Sequence, residues 1–585
     1  MTDNIISIVE ADAQLTAPGQ MFEMETVAIR GVDYRVWKHA PSSLKTVLDL
    51  SLRYPDADFL VYEDERYTFS QHYRMAATMA HRLVDFGVVK GDRVAIAARN
   101  LPEWVVAFWG SVLSGAITVP INAWWTGEEL AYGLSDSGSK VAIVDEARLE
   151  RMRPNLDQMP DLEQILVITE HRGQKPELGA PHARIAIRDF NEVMGEVADD
   201  VEAPAIEINT DDDATIFYTS GTTGRPKGAV GTHRNAITNL MNLIFSGQRS
   251  TLRFGGGNVD DKGESIQNAY LLNIPLFHAT GCLAVMIANT ASGGKLVMSH
   301  HFDAGQALGL IQSEKITTFG GVPTIAMQIL DHPDFDQFDT STVKSVSYGG
   351  APAPPELVRR IRATFPGGQP GNGYGLTETS AAVALNSGPD YVAKPDSCGP
   401  AIPVCDVAIV PEDYVGDEPG ADLPKGPEVT GELWIKGPNV VRCYWNKPEE
   451  SAKTFTKGWL RSGDVARIDE EGFIFIVDRA KDMIIRGGEN VYSVEVEGAL
   501  FEHPAVADAA VIGVPHPVLG EEVGAVIVVR PGHVVEAEEL MKHVAARLAK
   551  FSVPTHIFFY DQPLPRNPAG KILKRQLRDE LCPKP

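Results

Sequence analysis

Two stretches of this chain concentrate side chains able to do chemistry. The first is Thr219, Ser220, Gly221, Thr222, Thr223, Gly224, Arg225, Pro226, Lys227 and Gly228, entered from the apolar, β-branched run Ala214–Tyr218. Glycines let backbone N–H groups approach an anion closely and reach positive φ. Hydroxyls add donors, and Arg225 and Lys227 add charge, so the loop is suited to holding phosphate. It lacks the Walker A spacing, and an ordinary polar hairpin loop is the competing reading. The second stretch, Asn372-Gly373-Tyr374-Gly375-Leu376-Thr377-Glu378-Thr379-Ser380, combines an aromatic ring, hydroxyls, a carboxylate and flexible backbone.

These stretches need a scaffold, and short apolar runs supply one. Asp92–Ala98, Ile117–Ile121, Val141–Val144, Ile165–Ile168 and Ala214–Tyr218 read as buried strands. Met75, Met79 and Leu83 recur at helical spacing ahead of Gly87, a core stripe with a natural stop, and Trp104–Leu113 is an apolar helix. Strands alternating with helices predict a parallel α/β sheet. A helix is expected near Asn235–Leu243 and a surface loop at Phe254–Gly263. Asn268–His278 reads as a strand delivering His278. Ile316–Phe319 and Val343–Tyr348 are strands running into the turns Gly320–Pro323 and Gly349-Gly350-Ala351-Pro352, and parallel sheets bind ligands at such strand ends. Trp124-Trp125 reads as packing or as pocket lining. Gly431–Gly437 and Gly472–Val477 look like hairpin strands. Beyond the charged stretch Asp478–Asp482, read as an exposed hinge, strands at Val506–Val514, Val523–Val529 and His556–Tyr560 with two helices form a separate α+β module.

A chain of 585 residues exceeds one ordinary domain, and 44% hydrophobic content is that of a globular protein. A net charge of −25 disfavours nucleic acid and anionic membranes as partners, so an anionic substrate needs a locally positive site. Cys282, Cys398, Cys405, Cys443 and Cys582 have neither disulfide-framework nor zinc spacing, which points to a reducing, cytoplasmic setting. No signal peptide or bilayer-spanning run is visible.

In order along the chain, the Thr219–Gly228 loop, Leu276–Gly281, Gly349–Pro352, Gly373–Thr379, Arg461–Asp464, Asp478–Lys481, Gly487–Asn490 and Pro565–Lys571 resemble the motifs of the adenylate-forming superfamily, from about Leu44 to Lys574. That family includes acyl-CoA and aryl-CoA ligases, peptide-synthetase adenylation domains and luciferases. The resemblance implies an α/β fold: a large N-terminal domain of stacked α/β subdomains plus a distorted β-barrel, residues 1–480, and a small mobile α+β C-terminal domain, residues 481–585, hinged near Lys481. It implies that a carboxylate attacks the α-phosphorus of ATP to give acyl-AMP and pyrophosphate, and that the thiol of coenzyme A then takes the acyl group. Lys571 would bridge carboxylate and α-phosphate, Thr377 would donate to the adenylate phosphate, and Glu378 would ligate Mg²⁺. Thr219–Gly224 and Lys227 would hold the ATP phosphates. Asn372, Gly373, Tyr374 and Gly375, with Gly350, Ala351 and Pro352, would enclose adenine; Asp464 and Arg479 would take the ribose. Gly487 and Gly488 would line the CoA tunnel after rotation, and His278 would stand near the acyl carbonyl. The expected acyl pocket, between His278–Val285, Gly350 and Ala381–Ala384, is small and apolar and shows no cation for a second carboxylate. That predicts a hydrophobic acid: fatty, aryl or a bulky ring system. A ligase loading a carrier protein, a luciferase-like oxygenase and a non-catalytic nucleotide-binding pseudoenzyme are the alternatives. Monomer or homodimer are both family states.

Overall fold

The structure, a computed structural model, describes residues 5–582 except 172, 220–224, 258–265, 350–354, 366, 480–481, 488 and 568–569. Apolar strands of four to eight residues, spaced by helices, form two large sheets. The first has seven strands in the spatial order Lys227–Thr232, Asp213–Thr219, Ile117–Pro120, Arg93–Ala97, Ser139–Asp145, Gln164–Ile168, Ala186–Asp189. It is parallel except at Lys227–Thr232, which returns antiparallel to Asp213–Thr219 with Thr219 opposite Lys227. The second has eight: Ala381–Ser387, Gln369–Leu376, Ser345–Gly349, Thr318–Gly321, Ala269–Leu272, Lys295–Met298, Asp58–Tyr62, Glu65–Thr68. Its six inner strands run parallel, so their C-terminal ends share one edge of the layer.

The largest core joins both sheets through the helices Phe69–Asp85, Pro102–Leu113 and His233–Phe254. Every residue of Pro102–Leu113 is buried, which explains a helix apolar all round. Met79 of the methionine stripe is core, and a Cβ on Gly110 would come within 2.5 Å of its side chain, so this glycine sets how closely two helices approach. A six-stranded antiparallel sheet (Gly399–Pro400, Phe473–Arg479, Trp459–Ile468, Gly431–Lys436 and Asp406–Val410, with Phe455–Thr456 alongside) is tied to both large sheets by the bridges Ala229–Tyr444 and Ala384–Ala401. Among the described residues its strand path is open at both ends. The chain beyond Met483 builds its own five-stranded sheet from Glu489–Val491, Ile484–Arg486, Gly520–Val529, Val506–His516 and His556–Phe559, with its own two cores.

Several local expectations need correction. Asn268–His278 pairs only as far as Leu272; Pro275 has no N–H for a ladder, and the chain turns with His278 N–H donating to the Pro275 carbonyl at 3.0 Å. Asn100 clamps that turn, donating to Ile274 O and accepting from Leu276 N–H, each at 2.9 Å. The helix expected at Asn235–Leu243 runs from His233 to Phe254. Asn372–Leu376 is strand, not flexible loop. Gly431–Lys436 and Phe473–Arg479 do not pair with each other, because Trp459–Ile468 runs between them. Asp478 is not exposed: it is 2% accessible at the end of Phe473–Arg479, accepting hydrogen bonds from Ser493 N–H and Oγ.

Candidate active site

The C-terminal ends of the second sheet, the antiparallel sheet and the turn carrying Lys571 enclose a cavity of about 1210 Å³. On its wall stand Asn372, Gly373, Tyr374 and Gly375 from one strand, Thr377 and Glu378 from the turn after it, Asp464, Arg479, Thr219, Lys227, His278 and Lys571. Residues up to 352 positions apart thus converge where the ends of the second sheet's parallel strands meet the antiparallel sheet and the Lys571 turn.

Asp464 and Arg479 are cross-strand partners in the register of Trp459–Ile468 with Phe473–Arg479. Asp464 is 4% exposed; its Oδ2 accepts from the Tyr374 hydroxyl at 2.7 Å and its Oδ1 lies 3.3 Å from Arg479 Nε. Burial, and then the Asp464 charge, push the Tyr374 hydroxyl far above its ordinary value, so it stays a donor. The carboxylate is therefore fixed from two sides with its remaining lone pairs towards the cavity.

Glu378 sits in a single turn, Thr377–Thr379, whose backbone is pinned by Thr379 Oγ1, which accepts from Leu376 N–H at 2.8 Å, and by Glu378 O, which accepts from Val441 N–H at 2.8 Å. Ser380 and Ala381 follow with φ of 52° and 92°, left-handed backbone that such anchoring must hold. Glu378 Oε1 accepts from the Tyr444 hydroxyl at 2.7 Å, and Lys227 Nζ lies 5.1 Å from the centre of that ring. Tyr444 carried no motif and is visible only in three dimensions. Gly228, read with the phosphate loop, is a packing glycine: a Cβ would lie 2.6 Å from Ile216 Cγ2. Arg225 stacks over Tyr132 at 5.0 Å.

Lys571 is presented by a tight turn. Its N–H donates to Asn567 Oδ1 at 2.9 Å, its carbonyl accepts from Asn567 N–H at 2.8 Å, and Arg566 donates to Gly570 O at 2.7 Å. Gly570, at φ +80°, packs on Val322, where a Cβ would fall 2.4 Å from Val322 Cγ2. The neighbouring cations have other duties: Lys574 is paired with Glu497 at 2.7 Å and donates to Ser493 Oγ at 2.7 Å, while the Arg575 side chain is 84% exposed. Of these three cations only Lys571 is on the cavity wall. Opposite it, His278 is drawn down to about 4, first by desolvation and then by the Lys571 charge, so it is neutral at physiological pH. Phe277 and Trp124 continue that wall edge-to-face at 5.4 Å, and Arg99 lies 3.9 Å over Trp124. Trp125 reaches the cavity too, but most of it is buried in the core against Tyr218. The cavity also carries the Arg99 guanidinium, with His300 and His301 on the same wall, which the acyl segments alone did not reveal.

Gly487 is not brought to the cavity. It turns the hairpin between Ile484–Arg486 and Glu489–Val491 at φ +61°, donating its N–H to Leu519 O at 2.8 Å. Ser220, Gly221, Thr222, Thr223, Gly224, Gly350, Ala351, Pro352, Lys481 and Gly488 lie outside the described residues. Among the described residues no cluster of three metal-ligating side chains exists and no helix is long and apolar enough to cross a membrane.

A two-lobed α/β scaffold with lysine, carboxylates and aromatic hydroxyl converging at parallel strand ends is the architecture of an adenylate-forming enzyme. Residues 50–445 match the AMP-binding enzyme family and residues 495–571 its C-terminal domain. A long-chain-fatty-acid–CoA ligase of Bacillus subtilis (strain 168) is 34% identical over 92% of this chain and 94% of its own length. A feruloyl-CoA synthase of an Amycolatopsis species is 34% identical over 87% and 93%. The crystal structure of the anthranilate CoA ligase AuaEII with anthranoyl-AMP superposes with a TM-score of 0.79 at 26% identity, covering 92% of this chain and 97% of that one. The chain belongs to the AMP-binding enzyme family and is an AMP-forming acid–thiol ligase.

Proposed function

We propose that this enzyme activates a hydrophobic carboxylic acid as its acyl-adenylate and transfers the acyl group to coenzyme A. The observation that carries this reading is the meeting of Lys571, from the C-terminal lobe, with Asp464, Glu378 and His278 of the large lobe on one cavity wall. Both reactants are anions, and a flexible point cation between the acid's carboxylate and the α-phosphate offsets their repulsion. Thr377 donates to the same phosphate, and Asp464, held by Tyr374 and Arg479, accepts from the ribose hydroxyls. Tyr374 and Asn372-Gly373, with Gly350, Ala351 and Pro352, flank adenine, while Thr219–Gly224 and Lys227 hold the outgoing pyrophosphate. Neutral His278 closes the carbonyl end without adding a competing charge.

Mg²⁺ fits the donor set. Glu378 has one oxygen engaged by Tyr444 and the other unassigned, and this ion is commonly held by one carboxylate together with phosphate oxygens and water. Bound there, it would neutralise phosphate charge.

For the thiol step the lobe of residues 481–585 rotates about Lys481, withdrawing Lys571 and carrying Gly487 and Gly488 to the cavity as the pantetheine tunnel. The small contact of Gly570 with Val322 and the Arg530–Asp331 pair at 3.7 Å are bonds such a rotation readily breaks. The Arg99 guanidinium on the cavity wall favours approach of a polyanionic thiol. Five free cysteines support a reducing, cytoplasmic setting. The test is pyrophosphate release with ATP and Mg²⁺ across fatty, aryl and ring-bearing acids, with and without CoA. Release that depends on one acid class and turns over only with CoA is expected; ATP binding without acid-dependent release from any acid overturns the proposal.

A further inference from the structure

The acyl arm of the cavity is floored by a face of the second sheet nearly stripped of side chains. Register aligns Gly320, Ser347, Gly371 and Ser387 in one row across four strands, with Gly349 and Gly373 in the next row towards the strand ends. Successive residues point to opposite faces, so at these six positions this side presents only hydrogens and hydroxymethyl groups, with Leu385, opposite Gly373, at its margin. Two of the glycines are sterically required: a Cβ on Gly320 would meet Ser347 O at 2.0 Å and the Tyr270 hydroxyl at 2.9 Å, and one on Gly349 would meet Gly373 O at 2.6 Å; one on Gly371 would crowd Ser347 Oγ at 3.2 Å.

Tyr270 rises from Ala269–Leu272 over this floor. It is 8% exposed, lines the cavity, and its hydroxyl has no hydrogen-bond partner among the described residues. Burial pushes that hydroxyl well above its ordinary value, so it is a donor. Beside it Ser345 and Ser347 share a hydrogen bond of 3.1 Å that either can donate, leaving the pair one further proton to offer. An all-carbon acyl tail would displace water from these groups and leave them buried and unpaired, which is unfavourable.

Resting on the ligase reading above, we infer that the acid carries an oxygen, as hydroxyl or ring ketone, at the end remote from its carboxylate, and that Tyr270 and the Ser345–Ser347 pair receive it. Ser347 and Ser345 lie two and four residues back from Gly349 at the reactive edge, which places this oxygen roughly 7–13 Å from the carboxylate end at the rise of an extended strand.

The experiment compares kcat/KM for acid-dependent pyrophosphate release between acids matched in skeleton: decanoic acid with 8-hydroxy- and 8-oxodecanoic acids, and a fused-ring propanoic acid with and without a ring ketone. The wild-type enzyme favours the oxygenated members by about tenfold or more, the worth of one good hydrogen bond. Tyr270→Phe, which keeps the ring, raises KM for the oxygenated acids by a similar factor at unchanged kcat, and lowers KM for the plain acids, whose tails no longer strand a buried hydroxyl. Ser347→Ala does the same for the hydroxy or the oxo acid. Turnover with no preference for oxygen, or a Tyr270→Phe loss equal for both members of a pair, overturns this inference and leaves the ligase assignment standing. Acid-dependent release from none of the panel overturns the proposed reaction and this inference with it.

Discussion

Replacing Gly570 with alanine separates what the Lys571 turn needs for itself from what it needs to dock. An L-residue at the observed φ of +80° costs roughly 1–2 kcal/mol wherever the lobe stands, because the strain is within the turn. That part is read as lost folding stability. The new methyl also falls 2.4 Å from Val322 Cγ2, well inside van der Waals contact. Overpacking of that kind costs about 1–3 kcal/mol, felt only while Lys571 is docked, and so lowers the ratio of docked to withdrawn lobe about 5–150-fold, the upper bound on the loss of docked population. First-turnover pyrophosphate release should fall by up to that factor. Consumption of supplied acyl-AMP with CoA, carried out after the lobe has rotated, should keep its rate. Trimming the other partner, Val322→Ala, in the Gly570→Ala background should restore acid activation while leaving the stability deficit in place. If the double variant is no faster than the single one, or if both half-reactions slow equally, the docking argument is wrong.

Other perturbations address other parts of the site. Lys571→Ala should lower adenylate formation by about 10²–10³-fold, the scale for one electrostatic donor at a developing charge, yet spare thioester formation from acyl-AMP; equal losses would remove Lys571 from its role. Lys574→Met leaves Glu497 buried without its partner and should cost about 3–5 kcal/mol in a denaturant titration, with no selectivity between half-reactions. Tyr374→Phe removes a charge-assisted bond to Asp464 and should raise KM for ATP by roughly 10–150-fold at near-constant kcat; an unchanged KM would show that Asp464 does not hold the nucleotide. Burial draws His72 down to about 3 and His233 to about 4 from an ordinary value near 6.5. At these two sites the unfolded chain therefore binds up to two protons that the native state refuses. Stability should be complete above about pH 6.5 and drain as pH falls towards 4; His72→Phe, if tolerated, should flatten that slope, and an unchanged melting temperature across this window would refute it.

The legible parts of this protein are those whose reasons are local. Lys295–Met298 and Ala214–Tyr218 are short apolar runs bounded by breakers, and both are strands. Gln369–Leu376 was illegible because three glycines and an asparagine read as loop. Its glycines answer to neighbours far away in sequence or across a tight turn: a Cβ on Gly375 would lie 1.4 Å from Ala381 O. Asp478 reads as exposed because charge usually is, and only the fold brings Ser493 against it. The nucleotide-facing residues were named through motif order, whereas Tyr444, 66 residues from Glu378, and Tyr270 had no local mark of their work. Gly487 was named through motif order alone; that it sits in a hairpin away from the cavity was not legible.

The second sheet places Asp58–Tyr62 beside Lys295–Met298, with Leu60 opposite Leu296. On the ribosome the earlier strand must wait for a partner made roughly 240 residues later, which at about 5–20 residues per second is some 12–48 s. Through that interval Leu60 and Val61, and whichever flank of Pro102–Leu113 will later face the second sheet, have no permanent cover. Newly made chains should then depend on a holding chaperone until the Lys295–Met298 strand emerges, and fragments ending before it should aggregate even though the whole first sheet is already present in them.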